Sequence, residues 1–542
     1  MRMIRSIALL AATAVVTSLS VLSAGCGASA SKETAADVGG GGGGGEGGGS
    51  GLDASTDAAP KHPKPGPDSG SSSSDDAGDG GVACSLETTA LAPHGTQLVP
   101  LSGATIDGVT SDGYVVYTDT SSNTNEVISL DGGAPTSIGA NDGTGGAFTS
   151  GLVVFAFNGV SQTTEVGTLS IWSSAHGQQS IGTEVIAASP GQGLLDISGD
   201  GTHIVYFDNA AGTTGDVTVI NTDGSGKTVI APGLDISSIS CFPAVYFAGA
   251  YVVVETCAAG SDGGSSSTLT TYTGTGWMTK AVLSTTVDAS SYLVVDPTGA
   301  SLQYLSAAGL QVASLASGMS VTVDPMGTPG SFTSDGQHVV YTTMGGAINL
   351  GAITGAAPTP LVATGGYEGI YGLSPDNNWL LAFTTLMQDS AGDYVSDLYL
   401  ASASSAGSAT TLASSASASL FGDLFTADST HAMFDNSVSN GSGTLTAAAI
   451  MGGSRATLGP LSVLNLSATG GKIVFNTNDT PCGGSSGAAD LEVVDTSSST
   501  TPTLLVTQAD AYFFLDSAKQ NIVYSWSYLP NASAGIWVLP IP

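Results

Sequence analysis

The chain has 542 residues, of which 76 are glycine and only 10% are charged, against about 25% in an ordinary soluble domain. Ten Lys and Arg stand against 44 Asp and Glu, a formal net charge of −34, so the chain has no basic patch suited to nucleic acid. The hydrophobic content of 41% excludes a wholly disordered chain and allows a large core.

Residues 1–25 have the features of a secretory signal peptide. Two arginines precede an apolar stretch from Ile7 to Leu22, and small residues follow it. The sequence Ala24-Gly25-Cys26 resembles the end of a bacterial lipobox, although Leu22 lies one position earlier than in the usual pattern. The resemblance implies that Cys26 becomes the lipidated first residue of the mature protein. Gly27 after the cysteine implies an outer-membrane destination, facing the periplasm or the cell surface. Secretion without lipid is the alternative.

Residues 26–83 are expected to form a disordered tether that begins at the lipidated cysteine. Seven consecutive glycines start at Gly39, and a Pro-rich patch starts at Lys61. Such a composition cannot bury enough apolar surface to offset the entropy of ordering. A random coil of this length spans roughly 40 Å. The tether would therefore hold the expected folded domain, residues 84–542, clear of a membrane surface.

A unit of about 45 residues recurs through residues 84–542. Each copy has a polar turn, often with Asp and Gly, followed by a short apolar run that contains an aromatic residue. Clear copies begin at Ser111, Ser198, Asp296, Thr333, Ser374, Thr426 and Asp516, and weaker ones at Gly151, Gly249 and Thr469. The period, the alternating runs and the missing amphipathic helix patterns predict an all-β fold, a β-propeller of about ten four-stranded units. One wide ring, a smaller ring with merged units and two smaller rings are all compatible with ten copies.

The repeat resembles those of TolB-like and WD40-like (PD40) β-propellers. Ser374-Pro375-Asp376 matches the Ser-Pro-Asp-Gly turn of that family, and Asp397-Leu398-Tyr399-Leu400 matches the strand that follows. Asp490 to Asp495 gives a further match to the second half of the repeat. The resemblance spans about 430 residues and implies the propeller fold. The chain departs from the family in having few basic residues after the turn and in three copies without the Asp.

The two ends of the domain are predicted to pair with each other. The last unit stops early, with only Gly535 to Pro540 after its central strand, and the segment 95–101 precedes the first unit as an orphan strand. Pairing the two would remove a strand edge that would otherwise be open to aggregation. We therefore predict that residues 96–101 close the ring beside the final unit.

Export permits disulfides among the four cysteines that remain once Cys26 carries lipid. Cys241 and Cys257 flank a predicted hairpin, so their ends should lie close together. That pairing leaves Cys84 and Cys482, which would lie near the closing seam of the ring. We predict both bridges.

Each motif that could carry chemistry also has a structural explanation. Asp is a standard turn residue because its side chain caps its own turn, and copies on different units are expected to lie too far apart to share an ion. His203, His338 and His431 each follow the turn Asp by three residues, so we expect them at the starts of strands on three different units. The repeated turn residues are Asp112, Asp200, Asp296, Asp335, Asp376, Asp428 and Asp516.

Two further patterns carry little weight. Gly483 to Gly487 matches the G-x-S-x-G string of hydrolases, but no helix follows it to form the required elbow. Calcium at Asp142-Gly143 or at Asp389 to Asp393 has no supporting pattern. No catalytic, cofactor or metal residue is therefore predicted.

The sequence favours a binding or scaffolding module over an enzyme. The first hypothesis is a monomeric, lipid-anchored propeller that binds a cell-envelope protein or glycan. The alternative is an envelope hydrolase or lyase with its site in the channel, where loops from several units converge. A third possibility is a structural surface protein with a Ser/Thr-rich exterior. Contact with the membrane is expected through the lipid alone, and no nucleic acid is expected as a partner.

Overall fold

The computed structural model describes residues 95–542 apart from nineteen short segments, and every structural statement below concerns the described residues. The segments outside the description are 141–146, 161–165, 187–193, 212–213, 237–242, 260–264, 289–292, 363–366, 385–386, 389–393, 404–408, 418–422, 440–441, 453–454, 461–463, 481–487, 499–500, 511 and 527–533.

The described residues form forty strands and one 3₁₀ turn, with no α-helix among them. The chain opens with β1 (Thr96–Val99). Unit 1 then contains β2 (Ala104–Val109), β3 (Tyr114–Asp119), β4 (Thr124–Ser129) and β5 (Thr136–Ala140). Unit 2 contains β6 (Ala147–Ser150), β7 (Val153–Asn158), β8 (Val166–Ser173) and β9 (Gly177–Ile186). Unit 3 contains β10 (Leu195–Ile197), β11 (His203–Ala211), β12 (Thr214–Asn221) and β13 (Thr228–Asp235).

The next three units follow the same order of four strands. Unit 4 contains β14 (Ala244–Ala248), β15 (Tyr251–Ala259), β16 (Ser265–Thr273), the 3₁₀ turn Thr275–Trp277 and β17 (Thr279–Asp288). Unit 5 contains β18 (Val294–Val295), β19 (Ser301–Ser306), β20 (Gly309–Ser314) and β21 (Ser320–Asp324). Unit 6 contains β22 (Ser331–Phe332), β23 (His338–Thr342), β24 (Ile348–Ala352) and β25 (Thr359–Val362).

The last four units include three variations on this order. Unit 7 has an extra short strand and contains β26 (Tyr367–Leu373), β27 (Trp379–Thr384), β28 (Met387–Gln388), β29 (Tyr394–Ser402) and β30 (Thr410–Ser417). In unit 8 the first strand is reduced to the bridge Phe425↔Ala432, followed by β31 (His431–Ser439), β32 (Ser442–Ala449) and β33 (Arg455–Pro460). Unit 9 contains β34 (Asn465–Ser467), β35 (Lys472–Thr480), β36 (Ala488–Asp495) and β37 (Thr503–Asp510). Unit 10 contains β38 (Phe513–Leu515), β39 (Asn521–Trp526) and β40 (Gly535–Pro540).

Strands adjacent in the chain pair antiparallel within each unit, as the predicted all-β fold requires. The second strands are nearly continuous apolar runs, such as Tyr114–Asp119 and Val153–Asn158, because each of them packs against a neighbouring unit on both faces. Units 4 and 5 share one sheet, which is joined through the single pair Val287↔Ser306.

The two ends of the domain pair as predicted. Strand β1 lies antiparallel to β40, with Thr96 opposite Val538 and Gln97 opposite Trp537, and it completes the four-stranded sheet of unit 10. Gly535 permits this close approach. Its φ is 132°, and a Cβ atom at this position would lie 1.8 Å from the Val99 carbonyl oxygen. The prediction that the ends close on each other is confirmed.

The core lies between units rather than within them. Each of ten apolar clusters combines side chains of two successive units, and one of them joins unit 10 to unit 1 through Val523, Ile536 and Tyr117. The second strands supply most of the largest buried side chains, namely Tyr117, Phe155, Tyr206, Tyr341, Phe434, Phe475 and Tyr524. This cycle of face-to-face sheets is the arrangement of a β-propeller.

Antiparallel order gives every unit two distinct ends. We call one end the turn side, because it carries the tight connections from first to second strand and from third to fourth strand. The other end, the loop side, carries the connections from second to third strand and the links between units. Strand β31 illustrates the polarity, since His431 lies at the turn side and Asp435 lies toward the loop side.

Candidate functional site

The repeated Asp belongs to a hydrogen-bonded turn of fixed geometry. In unit 3 the Ser198 hydroxyl donates to Asp200 Oδ1 at 2.6 Å and accepts from the His203 backbone N–H at 2.9 Å. Gly201 takes a φ of 71° between them, a conformation that glycine adopts without strain. Thr333 and Asp335 in unit 6, and Ser374 and Asp376 in unit 7, repeat the hydroxyl-to-carboxylate bond. The sequence prediction of a structural turn is confirmed for these copies.

Asp296 and Asp516 occupy a different position from the other turn aspartates. Each lies two residues earlier in its turn, where the other units have Ser or Thr. Asp296 Oδ1 accepts from the Thr298 backbone N–H at 2.6 Å, and Asp516 Oδ1 accepts from the Asn521 backbone N–H at 2.9 Å. The prediction from the sequence was that all seven aspartates are equivalent. It was wrong for Asp296 and Asp516, because in their turns a carboxylate takes the place of the Ser or Thr hydroxyl that is the acceptor in the other turns.

Turns of neighbouring units touch, contrary to the expectation that they lie far apart. The Asp376 backbone N–H donates to Ser429 Oγ of the next unit at 3.1 Å. In the same way Thr469 bonds to the Lys519 carbonyl at 3.1 Å, and Ser111 to the Gly151 carbonyl at 2.9 Å. The reason is that the turns follow the first strands, which lie innermost in a propeller. Within the described ranges, no group of three or more His, Cys, Asp or Glu side chains could hold a metal ion.

Hydrogen bonds lower the pKa of four of the turn aspartates, namely Asp200, Asp335, Asp376 and Asp428. The Ser198 hydroxyl is the main cause that lowers the pKa of Asp200 to about 2, and the Thr333 hydroxyl lowers the pKa of Asp335. At Asp376 and Asp428 burial opposes the shift, but the hydroxyl and backbone donors of each turn outweigh it and lower both pKa values. The turn side therefore carries a series of carboxylates that remain charged well below neutral pH.

The three histidines begin the second strands of units 3, 6 and 8, as predicted, and each is half-buried. His203 packs edge-on against Trp277 of unit 4, with ring centroids 5.5 Å apart. His431 Nδ1 lies 2.9 Å from Thr430 Oγ1, and burial lowers the pKa of its imidazole. The described side chains do not bring the three histidines into a shared metal group.

A layer of buried polar residues lies on the second strands, one position after the large buried side chain at the middle of the strand, such as Tyr117 or Phe434. The sequence analysis did not predict this layer. The Ser267 hydroxyl donates to Glu255 Oε1 at 2.5 Å, and the Leu464 backbone N–H donates to Asn476 Oδ1 at 2.7 Å. The sequence repeats do contain a signal for this layer, because a polar residue follows the central residue of the second strand in most units. The members of this layer are Thr118, Glu255, Asp435, Asn476 and Ser525.

Two interior carboxyl groups have pKa values near neutrality. Asp435 is 1% exposed, and its Oδ1 has no hydrogen-bond partner in the described part of the chain. Burial raises its pKa to about 7. Burial likewise raises the pKa of Asp107 to about 7, although Asp107 Oδ2 accepts a bond from the Thr118 hydroxyl at 2.9 Å. Each of these two carboxyl groups would therefore gain or lose its own proton near physiological pH.

The two ends of the propeller differ in their charge composition. All five Lys and Arg of residues 84–542 lie at the turn side, in turns or at the first positions of strands that leave them: Lys227, Lys280, Arg455, Lys472 and Lys519. Four outer strands end at the loop side in Asp, namely Asp235, Asp288, Asp324 and Asp510. A long basic side chain can extend from the turn side toward the middle of its unit. Lys227 does so, and its Nζ lies 2.5 Å from Asp208 Oδ2.

Several predicted residues lie outside the description. They are the lipidated Cys26, the disulfide candidates Cys84, Cys241 and Cys482, the Gly483 to Gly487 string and both calcium candidates. Cys257 lies in β15, opposite Ser267, and the predicted hairpin of β14 and β15 is present. The lipid and the two bridges therefore stay predictions.

In the part of the chain that the structure covers, no helix is long and apolar enough to cross a membrane. No protein-family model matches the chain, and no curated protein matches it. Among solved structures, a eukaryotic initiation factor has 14% identity and a TM-score of 0.45, over 68% of this chain and 89% of that one.

Two similar structures come from β-propeller proteins. The propeller domain of the Trilobed protease of Pyrococcus furiosus has 13% identity and a TM-score of 0.31, covering 58% of this chain and 98% of its own. A protein described as TolB from Agrobacterium tumefaciens has 17% identity and a TM-score of 0.25, covering 49% and 94%. The chain is all-β, with many four-stranded antiparallel sheets, and neither a family nor an activity follows from these similarities.

Proposed function

We propose that this protein is a lipid-anchored binding or scaffolding module of the bacterial cell envelope, without catalytic activity of its own. Cys26 would carry the lipid at the outer membrane, and residues 26–83 would tether the monomeric propeller. Its partner would be a cell-envelope protein or glycan. The charge difference between the two ends is the observation that carries the proposal.

The loop side is the expected docking face for a basic protein surface. Outer strands of three successive units carry exposed acids at or near their loop-side ends, Glu184, Asp235 and Asp288. Every Lys and Arg of the domain lies at the turn side. A face of one charge sign steers an oppositely charged partner toward it, and the attraction weakens as salt rises.

The proposal is tested by capture of envelope proteins on the full chain at low and high salt. A triple variant, Glu184→Gln, Asp235→Asn and Asp288→Asn, should weaken capture about tenfold and reduce its salt dependence. The matched control changes the same charge at the turn side, with Asp112→Asn, Asp131→Asn and Asp223→Asn, and should leave capture within about twofold. Equal loss in both variants would mean that net charge alone matters, and would reject the assigned face.

The lipid anchor has its own test. The mature protein should partition into the membrane fraction and carry a mass increment at its N-terminus, and Cys26→Ser should release it into the soluble fraction. A Cys26→Ser protein that stays in the membrane to the same extent would contradict lipid anchoring without affecting the proposed docking face.

An enzyme remains the second candidate because of the two interior carboxyls. A carboxylic acid with a pKa of about 7, as for Asp107 and Asp435, is suited to general acid–base catalysis. A hydrolase or lyase of this kind would lose activity on Asp107→Asn, because Asp107 is partly exposed whereas Asp435 is almost fully buried. Turnover of a peptide, ester or glycoside substrate that Asp107→Asn abolishes would favour the enzyme over the binding module.

A further inference from the structure

An open groove lies beside the packed apolar core between units 3 and 4. The groove has a volume of about 360 Å³, which is within the range of small-molecule sites. One wall is the outer strand β13 and the other is the face of unit 4. Its lining includes Pro232, Thr256, Thr268, Thr270, Tyr272 and Lys280.

Exposed apolar side chains surround this groove. Val282 lines it and is 53% exposed, Val229 on the facing strand is 43% exposed, and Met278 beside it is 77% exposed. Such residues are ordinary when scattered singly, but a contiguous set beside a cavity marks a binding surface. The Lys280 Nζ lies 5.8 Å from the centre of the Tyr272 ring, so the ammonium group and the aromatic ring are neighbours in the groove.

Trp277 connects the groove to the turn side and has an unusual backbone. Its φ is 60°, a conformation that costs energy for a bulky side chain. The indole packs at 5.8 Å from the Phe247 ring and at 5.5 Å from the His203 ring of unit 3. The unit therefore holds an aromatic side chain at the seam at the expense of backbone strain, which is a feature typical of functional sites.

The chemistry of the lining selects a neutral, hydroxyl-rich ligand. Three threonine hydroxyls can donate and accept, and the Lys280 ammonium can only donate. No Asp or Glu is among the lining residues, so the groove offers nothing to a cationic ligand. The formal charge of −34 repels a polyanion at long range. A ligand that has hydroxyls on its edges and apolar C–H faces would fit these hydroxyls, Tyr272 and Val282 together.

We propose that this groove binds a short segment of a neutral oligosaccharide. Val282, 53% exposed, would contact the apolar face of a sugar ring above the almost fully buried Tyr272, while Thr268, Thr270 and Lys280 would bond its hydroxyl groups. The groove extends along β13 to Leu234, next to the loop-side acid Asp235. The two proposals use different side chains, so either site can exist without the other.

The test is calorimetric titration of the full mature chain in detergent with defined hexasaccharides. Cellohexaose and maltohexaose serve as neutral probes, the hexamer of galacturonic acid as the anionic probe, and the hexamer of glucosamine as the cationic probe. At least one neutral probe should bind, and both charged probes should bind at least about tenfold more weakly. Failure of both neutral probes, or tighter binding of a charged one, would overturn the proposal.

Variants then locate the site. Thr270→Val and Lys280→Met should each weaken binding about three- to tenfold, the effect of one lost hydrogen bond. Val282→Arg changes an exposed side chain, so it should block the groove without disturbing the core. The matched control is Thr446→Val, a buried threonine on the third strand of unit 8, which should bind as the native protein does. Equal binding by Val282→Arg and the native protein would also overturn the proposal, whereas Glu184→Gln, on β9 outside the lining, should bind the sugar normally.

Discussion

Asp428 and Asp435 lie in the same unit, one in the turn that leads into β31 and the other within that strand, yet their environments differ completely. At the turn side, Asp428 Oδ1 accepts from the Thr430 backbone N–H at 3.1 Å and from the Thr430 hydroxyl at 2.8 Å. Toward the loop side, Asp435 is almost fully buried, and its Oδ1 has no partner among the described residues. The pKa of Asp428 is lowered, and that of Asp435 is raised to about 7.

The comparison shows that the position of an Asp within the unit, in a turn or inside a strand, decides whether its charge stabilises the fold. A carboxylate that accepts several hydrogen bonds is stabilised in its charged form, whereas a buried one without partners favours the neutral form. Turn aspartates therefore support the fold at neutral pH, while interior acids weaken it there. The same division leaves the loop side with acids at the ends of outer strands, whereas every Lys and Arg side chain of the domain starts from the turn side.

The largest expected effect comes from removing the interior acid. Burial raises the folded pKa of Asp435 above its unfolded value, so its stabilising contribution is complete below about pH 4 and is lost as the pH rises toward 7. Asp435→Asn should therefore increase the free energy of unfolding at pH 8, by up to about 4 kcal/mol from the linkage alone. Urea unfolding at pH 5 and pH 8 measures this, and the gain should shrink or vanish at pH 5. A gain that is the same at both pH values would contradict the assigned pKa.

The turn aspartate should respond in the opposite direction. Asp428→Ala removes the acceptor of two hydrogen bonds, so the free energy of unfolding should fall by about 1–2 kcal/mol at pH 7. Because the folded pKa of Asp428 is lowered, its contribution is present above about pH 4 and is lost as the pH falls below that value. The loss caused by Asp428→Ala should thus diminish in acid. Thermal unfolding at pH 7 and pH 3 gives the comparison, and a variant as stable as the native protein at pH 7 would reject the structural role of the turn.

The smallest effect should come from an exposed ion pair at the turn side. Lys519 Nζ lies 3.8 Å from Asp423 Oδ2, and both side chains are substantially exposed. Lys519→Gln should change the free energy of unfolding by less than about 0.5 kcal/mol, because solvent and salt screen such pairs. A loss of more than about 1 kcal/mol would show that charge at the turn side matters more than the hydrogen-bonded turns do.

The turns, the hairpins and the closing strand were predictable from the sequence. Side-chain contacts between neighbouring units were not. The Asp and Gly turns, the hairpin around Gly249 and the closing strand β1 follow from turn chemistry, alternation and an incomplete last unit. The shifted roles of Asp296 and Asp516 required knowledge of which residue opens the turn. Contacts such as Asp376 with Ser429 depend on how neighbouring units are arranged in space, which no local pattern encodes.

The candidate sites depended on packing even more strongly. The polar residue after each central aromatic is visible in the repeats, but only the packed interface shows that Glu255 and Asp435 are buried. The groove at Tyr272 and Lys280 arises because two units do not fill the space between them. A cavity is a property of two surfaces together, so neither sequence segment indicates it alone.

The central claim, that position along one strand sets the charge of an acid, is tested most directly by carbon-13 NMR titration of aspartate carboxyls. Protein labelled only at Asp Cγ, with signals assigned through Asp428→Asn and Asp435→Asn, reports each group separately. We predict that Asp435 titrates near pH 7 and that Asp428 titrates below its ordinary pKa of about 4. Titration of both groups near pH 4 would contradict the account.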